Sequence, residues 1–389
     1  MAKRENNIDD IDVVDDFELE DIDDFDPFDV LDDSYEDDKS YGNSKPQGGN
    51  TPKKKNSKKK KKNPVLVWAG RVGATLLSTI LVLVIFLYAV MAMLVYGPSK
   101  TAKIQFVLSV QETSAIGFLA NWFCSQDEID EIKANNAIKD TDEITDAGLV
   151  NIDTSAQDSE TPDIEIVDVK GATYSGKLMI VKDPSRLFVG TVPEFTNGNG
   201  MVVADIAKRY DAIGGVNGGE FVDGDTTYTA MPIGLVMKDG EVLNDNGGTS
   251  HVTGITYDNK LVLGNMNAAK AKELNIRDCV SISNHIGPFL IVNGEAQDVV
   301  GIAGGTNPRT AIGQTADGKI LLLAIDGRQP NSIGATFSDL QDIMAQYGAV
   351  NASTMDGGTS TQMYYDGEVI NVPYSPTGPR SCPTAFLIK

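Results

Sequence analysis

The sequence predicts an α+β protein whose C-terminal domain is a mixed β-sheet domain with flanking helices. Short apolar runs bounded by turn residues alternate with Asp-Gly and Asn-Gly pairs, a pattern typical of strands joined by hairpins. Two segments, residues 201–210 and 338–347, have amphipathic helical spacing. One strand–helix–strand pattern adds a crossover, which normally connects parallel strands, so the sheet is expected to be mixed.

That crossover lies near the C-terminus. The apolar run Ile320–Ile325 predicts a buried strand, and Ala349–Met355 predicts a second one. Between them, Ser338 and Gln341 have the spacing of a capping box, and Gly348 is placed to end the helix. The two strands are therefore expected to be parallel and to end on the same side of the sheet.

An Asp-Gly pair follows each of these predicted strands. If the strands are neighbours, the carboxylates of Asp326 and Asp356 converge, since adjacent strands lie about 4.8 Å apart. Ligands of α/β sheets bind beyond such strand ends. The pair could act as acid and base in glycosyl transfer, or bind a divalent cation such as calcium with Asn217 and Glu220. Asp-Gly is also ordinary turn chemistry, which is the third interpretation.

Three arginines follow Gly, Pro or Asp residues at predicted turns: Arg309, Arg328 and Arg380. Guanidinium forks suit phosphate and carboxylate oxygens, so together they favour an anion site. The alternative is that each arginine ties a loop down by pairing with an acid of the protein. The glycines of the segment 217–221, N-G-G-E-F, either open the backbone to a ligand or form a β-bulge.

The N-terminal segment, residues 1–64, is predicted to be a disordered cytoplasmic tail. Residues 1–40 hold 18 acidic and 3 basic residues, and residues 41–64 hold nine lysines and no acid. Such segments cannot bury enough apolar surface to fold. An apolar run follows the lysines at once, so we interpret the lysines as membrane-flanking and not as a nucleic-acid site.

Residues 65–96 are predicted to form a single transmembrane helix. Residues 72–96 carry no charge over 25 positions, which is enough to cross a bilayer. Many lysines precede this run and only Lys100 and Lys103 closely follow it. This bias predicts a cytoplasmic N-terminus and places everything after about residue 97 outside the cell.

Residues 97–162 are predicted to be a stalk and linker. Ser125 is placed to cap a short helix. Residues 104–123 are fairly apolar and are expected to lie either on the membrane or against the folded domain. Residues 135–162 are polar and acidic, which is typical of a linker. The folded domain is then expected at residues 163–389, a length that allows one substantial core.

The three cysteines are Cys124, Cys279 and Cys382, and an odd number excludes complete pairing within one chain. Cys279 and Cys382 could form a disulfide in an exported domain, or both could be buried free thiols. No two of the cysteines have the spacing of a metal site.

The motifs of this domain, taken in order, resemble the phosphodiester glycosidase family. They are N-G-G-E-F at 217–221, G-P-F-L at 287–290, N-P-R-T-A-I-G at 307–313, D-G-R at 326–328, M-D-G-G-T-S at 355–360, and Arg380. The resemblance covers about residues 163–389 and implies hydrolysis of a sugar-1-phosphodiester at its glycosidic bond. Thr359 stands where family members often have glycine, which bears on substrate identity.

The resemblance also implies which residues form the site. The implied catalytic residues are Asp326, Asp356 and Glu220, and the implied substrate-binding residues are Asn217, Arg309, Arg328, Gly357, Gly358, Ser360 and Arg380. The arginines would hold the phosphodiester, and a carboxylate would activate water or stabilise the cationic sugar.

Two functions follow from the anchor and the motifs. The first is a membrane-anchored extracytoplasmic hydrolase that acts on sugar-phosphate linkages of envelope polymers such as teichoic acid or exopolysaccharide. The second is a non-catalytic envelope protein that binds an anionic polysaccharide in the same cleft and serves as a scaffold. Both have an anionic glycan and the membrane as partners, involve no nucleic acid, and leave the oligomeric state open.

Overall fold

The computed structural model describes residues 63–113, 116–152, 162–222, 228–283, 287–375 and 378–389. The predicted disordered tail lies outside these residues, except for its last two. The chain divides into two units, residues 1–70 and 71–389. Of the first unit the structure describes residues 63–70, which include the beginning of one long helix.

Seven α-helices occur in the described residues. The first is apolar, almost fully exposed and long enough to cross a membrane over Val67–Tyr96, where the sequence predicts the span. The helices are α1 (Pro64–Tyr96), α2 (Lys100–Gln111), α3 (Phe118–Asn121), α4 (Gln126–Ala134), α5 (Val203–Arg209), α6 (Ala268–Glu273) and α7 (Phe337–Gln346).

Seventeen strands, counted over the described residues, form three sheets. They are β1 (Ile164–Lys170), β2 (Ser175–Val181), β3 (Leu187–Thr191), β4 (Gly214–Asn217), β5 (Val236–Lys238), β6 (Glu241–Asn244), β7 (Ser250–Thr256), β8 (Leu261–Met266), β9 (Ile276–Ile282), β10 (Phe289–Val292), β11 (Glu295–Ala296), β12 (Arg309–Thr315), β13 (Ile320–Ile325), β14 (Ala349–Met355), β15 (Met363–Tyr365), β16 (Glu368–Val369) and β17 (Thr384–Ile388). The first sheet has the order β1-β2-β13-β12-β14-β10-β11, the second β16-β15-β4-β17-β3, and the third β6-β5-β9-β7-β8.

All the described pairings between these strands are antiparallel, so the α+β class is confirmed but the expectation of a mixed sheet is wrong. β12 and β13 form a hairpin, and β14 pairs with the other side of β12. β13 and β14 therefore run in the same direction, as predicted, but β12 lies between them. Helix α7 connects the two by crossing the face of the sheet, where it contacts β10, β12 and β14.

The start of α7 differs from the prediction. Its N-cap is Thr336, whose side chain accepts from the backbone N of Asp339, and the Asp339 carboxylate accepts in return from the Thr336 N–H. The predicted capping pair, Ser338 and Gln341, lies within the helix instead. Thr336 forms the N-cap because its hydroxyl reaches the backbone N of Asp339, the third helical residue, as a capping box requires. Gly348, with φ 79°, follows the helix end as predicted.

Other local predictions agree more closely with the structure. Ser125 caps α4 through the backbone N of Glu128, and helix α5 lies inside the predicted 201–210 segment. Turn signals in the sequence connect the two strands of a hairpin at Asp239-Gly240, Asp258-Asn259, Asn293-Gly294, Asp317-Gly318 and Asp366-Gly367. The exception is the turn at 183–185, which forms a 3-10 helix between the first and second sheets because Asp183 caps it through Ser185 N.

The three sheets share one apolar core. Helix α7 covers the other face of the first sheet, α5 covers the second, and α6 packs on the third. Representative core residues, one or more from each sheet, are Met179, Leu322, Met355, Val216, Phe386, Ile255 and Val280. The three cysteines are all buried free thiols, which leaves no disulfide between Cys279 and Cys382.

The segment predicted as a linker lies along the domain over its described part. Asn136 accepts from Ile302 N, and Thr145 N donates to Leu263 O at 3.0 Å. Asn151 N donates to Ala316 O at 2.8 Å. These contacts attach residues 136–151 of this segment to the folded domain, so this part is not a free spacer.

Candidate functional site

Three loops meet where β13 and β14 end and β12 begins. They are residues 307–309 at the beginning of β12, 326–328 after β13 and 356–358 after β14, and we call them together the three-loop site. Asp326 and Asp356 do leave the same side of the sheet. With β12 between their strands, however, the strand axes are about 9.6 Å apart, twice the ordinary spacing. The expectation of neighbouring strand ends is therefore wrong.

Glycine allows these loops to approach each other closely. A Cβ on Gly327 would lie 2.5 Å from Pro308 N, which no real side chain tolerates. Gly358 N donates to Pro308 O at 2.9 Å, and Gly358 has φ 62°, in the left-handed region that glycine adopts without strain. The glycines of the D-G-R and D-G-G motifs thus serve backbone packing around Pro308.

Arg328 spans the site. Its backbone is left-handed, with φ 58°, and its Nη2 donates to Asn307 Oδ1 at 3.0 Å and to Thr113 Oγ1 at 2.7 Å. The guanidinium lies against Gly358, where an added Cβ would be 3.3 Å from Nη2. Burial lowers the pKa of Arg328, and the nearby charge of Arg309 acts in the same direction.

Arg309 is buried, with only 5% of its surface exposed. Its Nη2 donates to Glu112 Oε2 and, at 2.7 Å, to Gly305 O. Its Nε donates to Ala335 O at 3.2 Å, and the guanidinium carbon lies 3.8 Å from the centre of the Phe337 ring. Arg309 is therefore an ion-paired and stacked residue as well as a potential anion ligand.

Glu112 was not predicted from the sequence. It follows α2, yet its Oε1 accepts from Gly305 N at 2.7 Å and its Oε2 accepts from Asn307 Nδ2 at 2.9 Å. Together with the bond from Arg309, these contacts place a carboxylate where a bound anion would meet the guanidinium. No local signal marks Glu112, because its partners lie almost two hundred residues away.

Asp326 is buried, with 9% of its surface exposed. Its Oδ1 accepts from Val372 N at 2.8 Å and from Asn371 Nδ2 at 3.1 Å. Burial raises the pKa of Asp326, although these two hydrogen bonds and the charge of Lys177 oppose the rise. The described contacts of this carboxylate therefore hold the loop around residue 371.

Asn217 is also fully buried and fully engaged. Its Nδ2 donates to Asp356 O at 2.7 Å, while its Oδ1 accepts from Thr310 Oγ1 at 2.8 Å and from Gln362 N at 3.2 Å. An amide oxygen has two lone pairs, and both are used here. Asn217 thus fixes the backbone of Asp356 and has no free oxygen for a cation.

The remaining charged candidates lie on the Asp356 side. Glu220 is half-buried, and its Oε2 accepts from Ser283 N at 2.8 Å. The Arg380 guanidinium carbon lies 5.0 Å from the centre of the Phe221 ring. Asp356 is half-buried too, in contrast to the buried Asp326.

Two of these charged side chains affect the pKa of the buried Cys382 thiol. Burial raises its pKa to about 12, the charge of Asp356 adds to the rise, and the charge of Arg380 opposes it. Asp356 and Arg380 therefore lie on the same side of the domain, close to Cys382.

Ser360 ends the 3-10 turn that follows Gly357. It is fully buried, and among the described residues its Oγ has no hydrogen-bond partner. In the described part of the chain no three His, Cys, Asp or Glu side chains cluster closely enough to hold a metal ion. The cation interpretation of the paired aspartates therefore gains no support from the geometry.

Residues 210–389 match the model of the family described as phosphodiester glycosidase. The chain is 25% identical over 225 residues to N-acetylglucosamine-1-phosphodiester alpha-N-acetylglucosaminidase of Mus musculus. The matched region covers 52% of this chain and 42% of that protein. A stretch of 65 residues is 40% identical to the SPbeta prophage-derived uncharacterized protein YomE of Bacillus subtilis, covering 17% of this chain and 10% of that protein. The chain thus spans less than half the length of both curated relatives.

Among solved structures, the chain matches the zebrafish N-acetylglucosamine-1-phosphodiester alpha-N-acetylglucosaminidase catalytic domain, auto-inhibited by its pro-peptide. That match has a TM-score of 0.48 and 23% identity, and covers 59% of this chain and 84% of the other. A putative exported protein from Burkholderia pseudomallei matches with a TM-score of 0.42 and 17% identity, covering 56% and 74%. On the family match and the curated relative, residues 210–389, which hold the three-loop site, are similar to the phosphodiester glycosidase family.

Proposed function

We propose that this chain is a membrane-anchored extracytoplasmic hydrolase. It cleaves the glycosidic bond of sugar-1-phosphodiesters in envelope polymers such as teichoic acid or exopolysaccharide. The observation that carries the proposal is the three-loop site, where two guanidinium groups and two glycine-rich loops meet beside Asp356 in a domain similar to the phosphodiester glycosidase family.

In this proposal the arginines bind the phosphodiester. Arg328 donates to the side chain of Asn307, and the amide of Asn307 and Nη2 of Arg309 both donate to Glu112 Oε2. In the proposal a single phosphate group takes the place of this carboxylate and contacts both arginines. Two cations that repel each other gain from an anion placed between them. The substrate phosphate then displaces the Glu112 carboxylate, because both compete for Nη2 of Arg309.

The reaction transfers the sugar to water. A water oxygen bonds to C1 of the sugar, the bond from C1 to the phosphate oxygen breaks, and its electron pair leaves with the phosphate. A phosphate leaving group needs little protonation, so the guanidinium groups stabilise the developing charge. Asp356, the more exposed aspartate, accepts the proton of the attacking water, while the buried Asp326 positions the loops.

The test is sugar release by the full-length chain in detergent or nanodiscs, with α-sugar-1-phosphodiesters and with wall polymer, with and without divalent cations. We expect release of free sugar that Asp356→Asn abolishes. Polymer that binds stably and is recovered intact, with binding unchanged in Asp326→Asn and Asp356→Asn, would replace this proposal by the scaffold function.

The proposed topology has the N-terminus in the cytoplasm and the catalytic domain outside the cell. It is supported by the apolar helix α1 and the lysines before it. Protease added to intact cells is expected to remove the C-terminal domain and to leave an N-terminal fragment. Loss of the acidic tail instead would reverse the orientation.

A further inference from the structure

An exposed aromatic pair lies just after the predicted membrane span. Phe118 and Trp122 are 53% and 59% exposed, and their rings meet edge to face with centroids 5.5 Å apart. Ile116, 40% exposed, lies in the turn before them. Large apolar side chains grouped on a surface mark a site of interaction, since each is costly to leave in water.

The pair is held beside the end of α1. Phe123, the next residue in the chain, is buried, and its ring centroid lies 5.2 Å from that of Tyr88 and 6.1 Å from that of Tyr96. Tyr96 Oη also donates to Phe123 O at 3.2 Å. These contacts fix Trp122 at the level of the last two turns of α1.

That level is where the helix leaves the bilayer. About 20 helical residues cross the hydrocarbon core, so a span that begins between Val67 and residue 72 ends between residues 86 and 91. Tyr88 falls inside that interval. Tryptophan and other aromatic residues concentrate at such membrane–water boundaries, where the ring packs on lipid and its polar edge stays hydrated.

We propose that Ile116, Phe118 and Trp122 form a membrane-contact patch that inserts into the interfacial region of the lipid bilayer around α1. The occupant is lipid because Phe123, the neighbour of Trp122, packs on residues near the end of the spanning helix, whose surface is apolar and exposed. The exposed Lys100, at the start of α2, adds a cation that attracts anionic lipid headgroups.

The patch also sets the position of the candidate site. Ile116 N and Gly117 N both donate to Thr113 O, at 3.1 and 2.9 Å, so a single turn joins the patch to the residue that accepts from Arg328. Phe118 lies five positions after Thr113 in the chain, a reach of at most about 18 Å. If the proposed hydrolase function holds, the site therefore favours phosphodiesters presented at the membrane surface.

Fluorescence tests the contact without reference to activity. The chain has two tryptophans, Trp68 and Trp122, so Trp68→Phe leaves Trp122 as the sole reporter. In nanodiscs of lipids brominated near the headgroup end of the acyl chains, we expect about a twofold or greater loss of its emission relative to ordinary lipids, because the indole lies in the interface. Emission typical of an indole in water, without loss, overturns the proposal.

Two control variants distinguish insertion of the patch from adsorption of the whole domain and from a protein partner. Trp122→Phe leaves Trp68, within α1, which reports on the span itself: a quenched Trp68 with an unquenched Trp122 rejects the patch and keeps the span. The triple variant Trp68→Phe, Trp122→Phe, Tyr257→Trp places an indole on the exposed β7–β8 turn, where we expect no loss. Equal quenching there indicates general adsorption of the domain. A blue-shifted but unquenched Trp122 indicates a protein partner, and either result overturns the proposal.

Discussion

Glu112 and Arg309 form an ion pair between two side chains that are 20% and 7% exposed. The pair joins the segment after the apolar helix to the three-loop site, across 197 positions of the chain. While both partners are present, such a pair contributes little to the free energy of unfolding, because the cost of desolvating the charges offsets their attraction. Removing one partner is costly, however, since the other charge then lacks its counterpart.

Arg309→Ala is accordingly expected to destabilise the fold. The change leaves Glu112 without its cation and uncovers the carbonyls of Gly305 and Ala335. We expect a loss of about 2–4 kcal/mol in the free energy of unfolding, measured by denaturant titration. In the background of Glu112→Gln the loss should be smaller, and strictly additive losses would show that the pair is not coupled.

Glu112→Gln is expected to lower the KM for a sugar-1-phosphodiester severalfold, because a neutral amide competes with phosphate for Arg309 less well than a carboxylate. Steady-state kinetics of sugar release measure the effect. Glu128→Gln is the matched control, since Glu128 also pairs with a cation, Lys103, after the apolar helix but away from the arginines. An unchanged KM in Glu112→Gln would show that substrate and Glu112 do not compete.

Gly358→Ala is expected to reduce both stability and activity. The backbone there has φ 62°, and the new Cβ would press on the Arg328 guanidinium at 3.3 Å. Left-handed strain costs about 1 kcal/mol. Gly367→Ala, with φ 92° and nothing within 4 Å, carries the strain without the contact. Melting temperatures should fall in both variants, while sugar release should fall only in Gly358→Ala. Equal sugar release by the two variants would show that activity does not depend on the position of the Arg328 guanidinium.

Local patterns in the sequence predicted most of the local structure. Asn-Gly and Asp-Gly pairs predicted hairpins because their backbones favour the tight turns that hairpins need. The Asp326 and Asp356 loops were placed on the same side of the sheet because strand direction follows from the crossover.

Strand order and distant contacts were beyond the same patterns. Nothing local to Ile320–Ile325 or Ala349–Met355 indicates that β12 pairs between them, since pairing partners are chosen by the whole sheet. Glu112 shows the same limit more strongly. An acid at a helix end has many ordinary uses, and only folding brings it to Arg309.

The pH dependence of stability should carry a contribution from Asp326. Burial raises its pKa in the folded state above the value in the unfolded chain. Between these two pKa values the folded state holds a proton that the unfolded state has lost, so stability falls as the pH rises through this window. Above the folded-state pKa the full penalty of the buried charge remains.

Asp326→Asn removes this penalty, since an amide keeps an oxygen that can accept from Val372 N and Asn371 Nδ2 while carrying no charge. We therefore expect the variant to melt at a higher temperature than the wild type at neutral pH, with the difference shrinking as the pH falls towards about 3.9, the ordinary pKa of aspartate.

Asp317→Asn is a control for which the opposite change in melting temperature is expected. Partial burial acts to raise the pKa of Asp317, but hydrogen bonds from Lys319 and Thr315 lower it overall. Its variant should melt lower at neutral pH. A difference for Asp326→Asn that does not change with pH would show that its carboxylate does not titrate differently in the folded state.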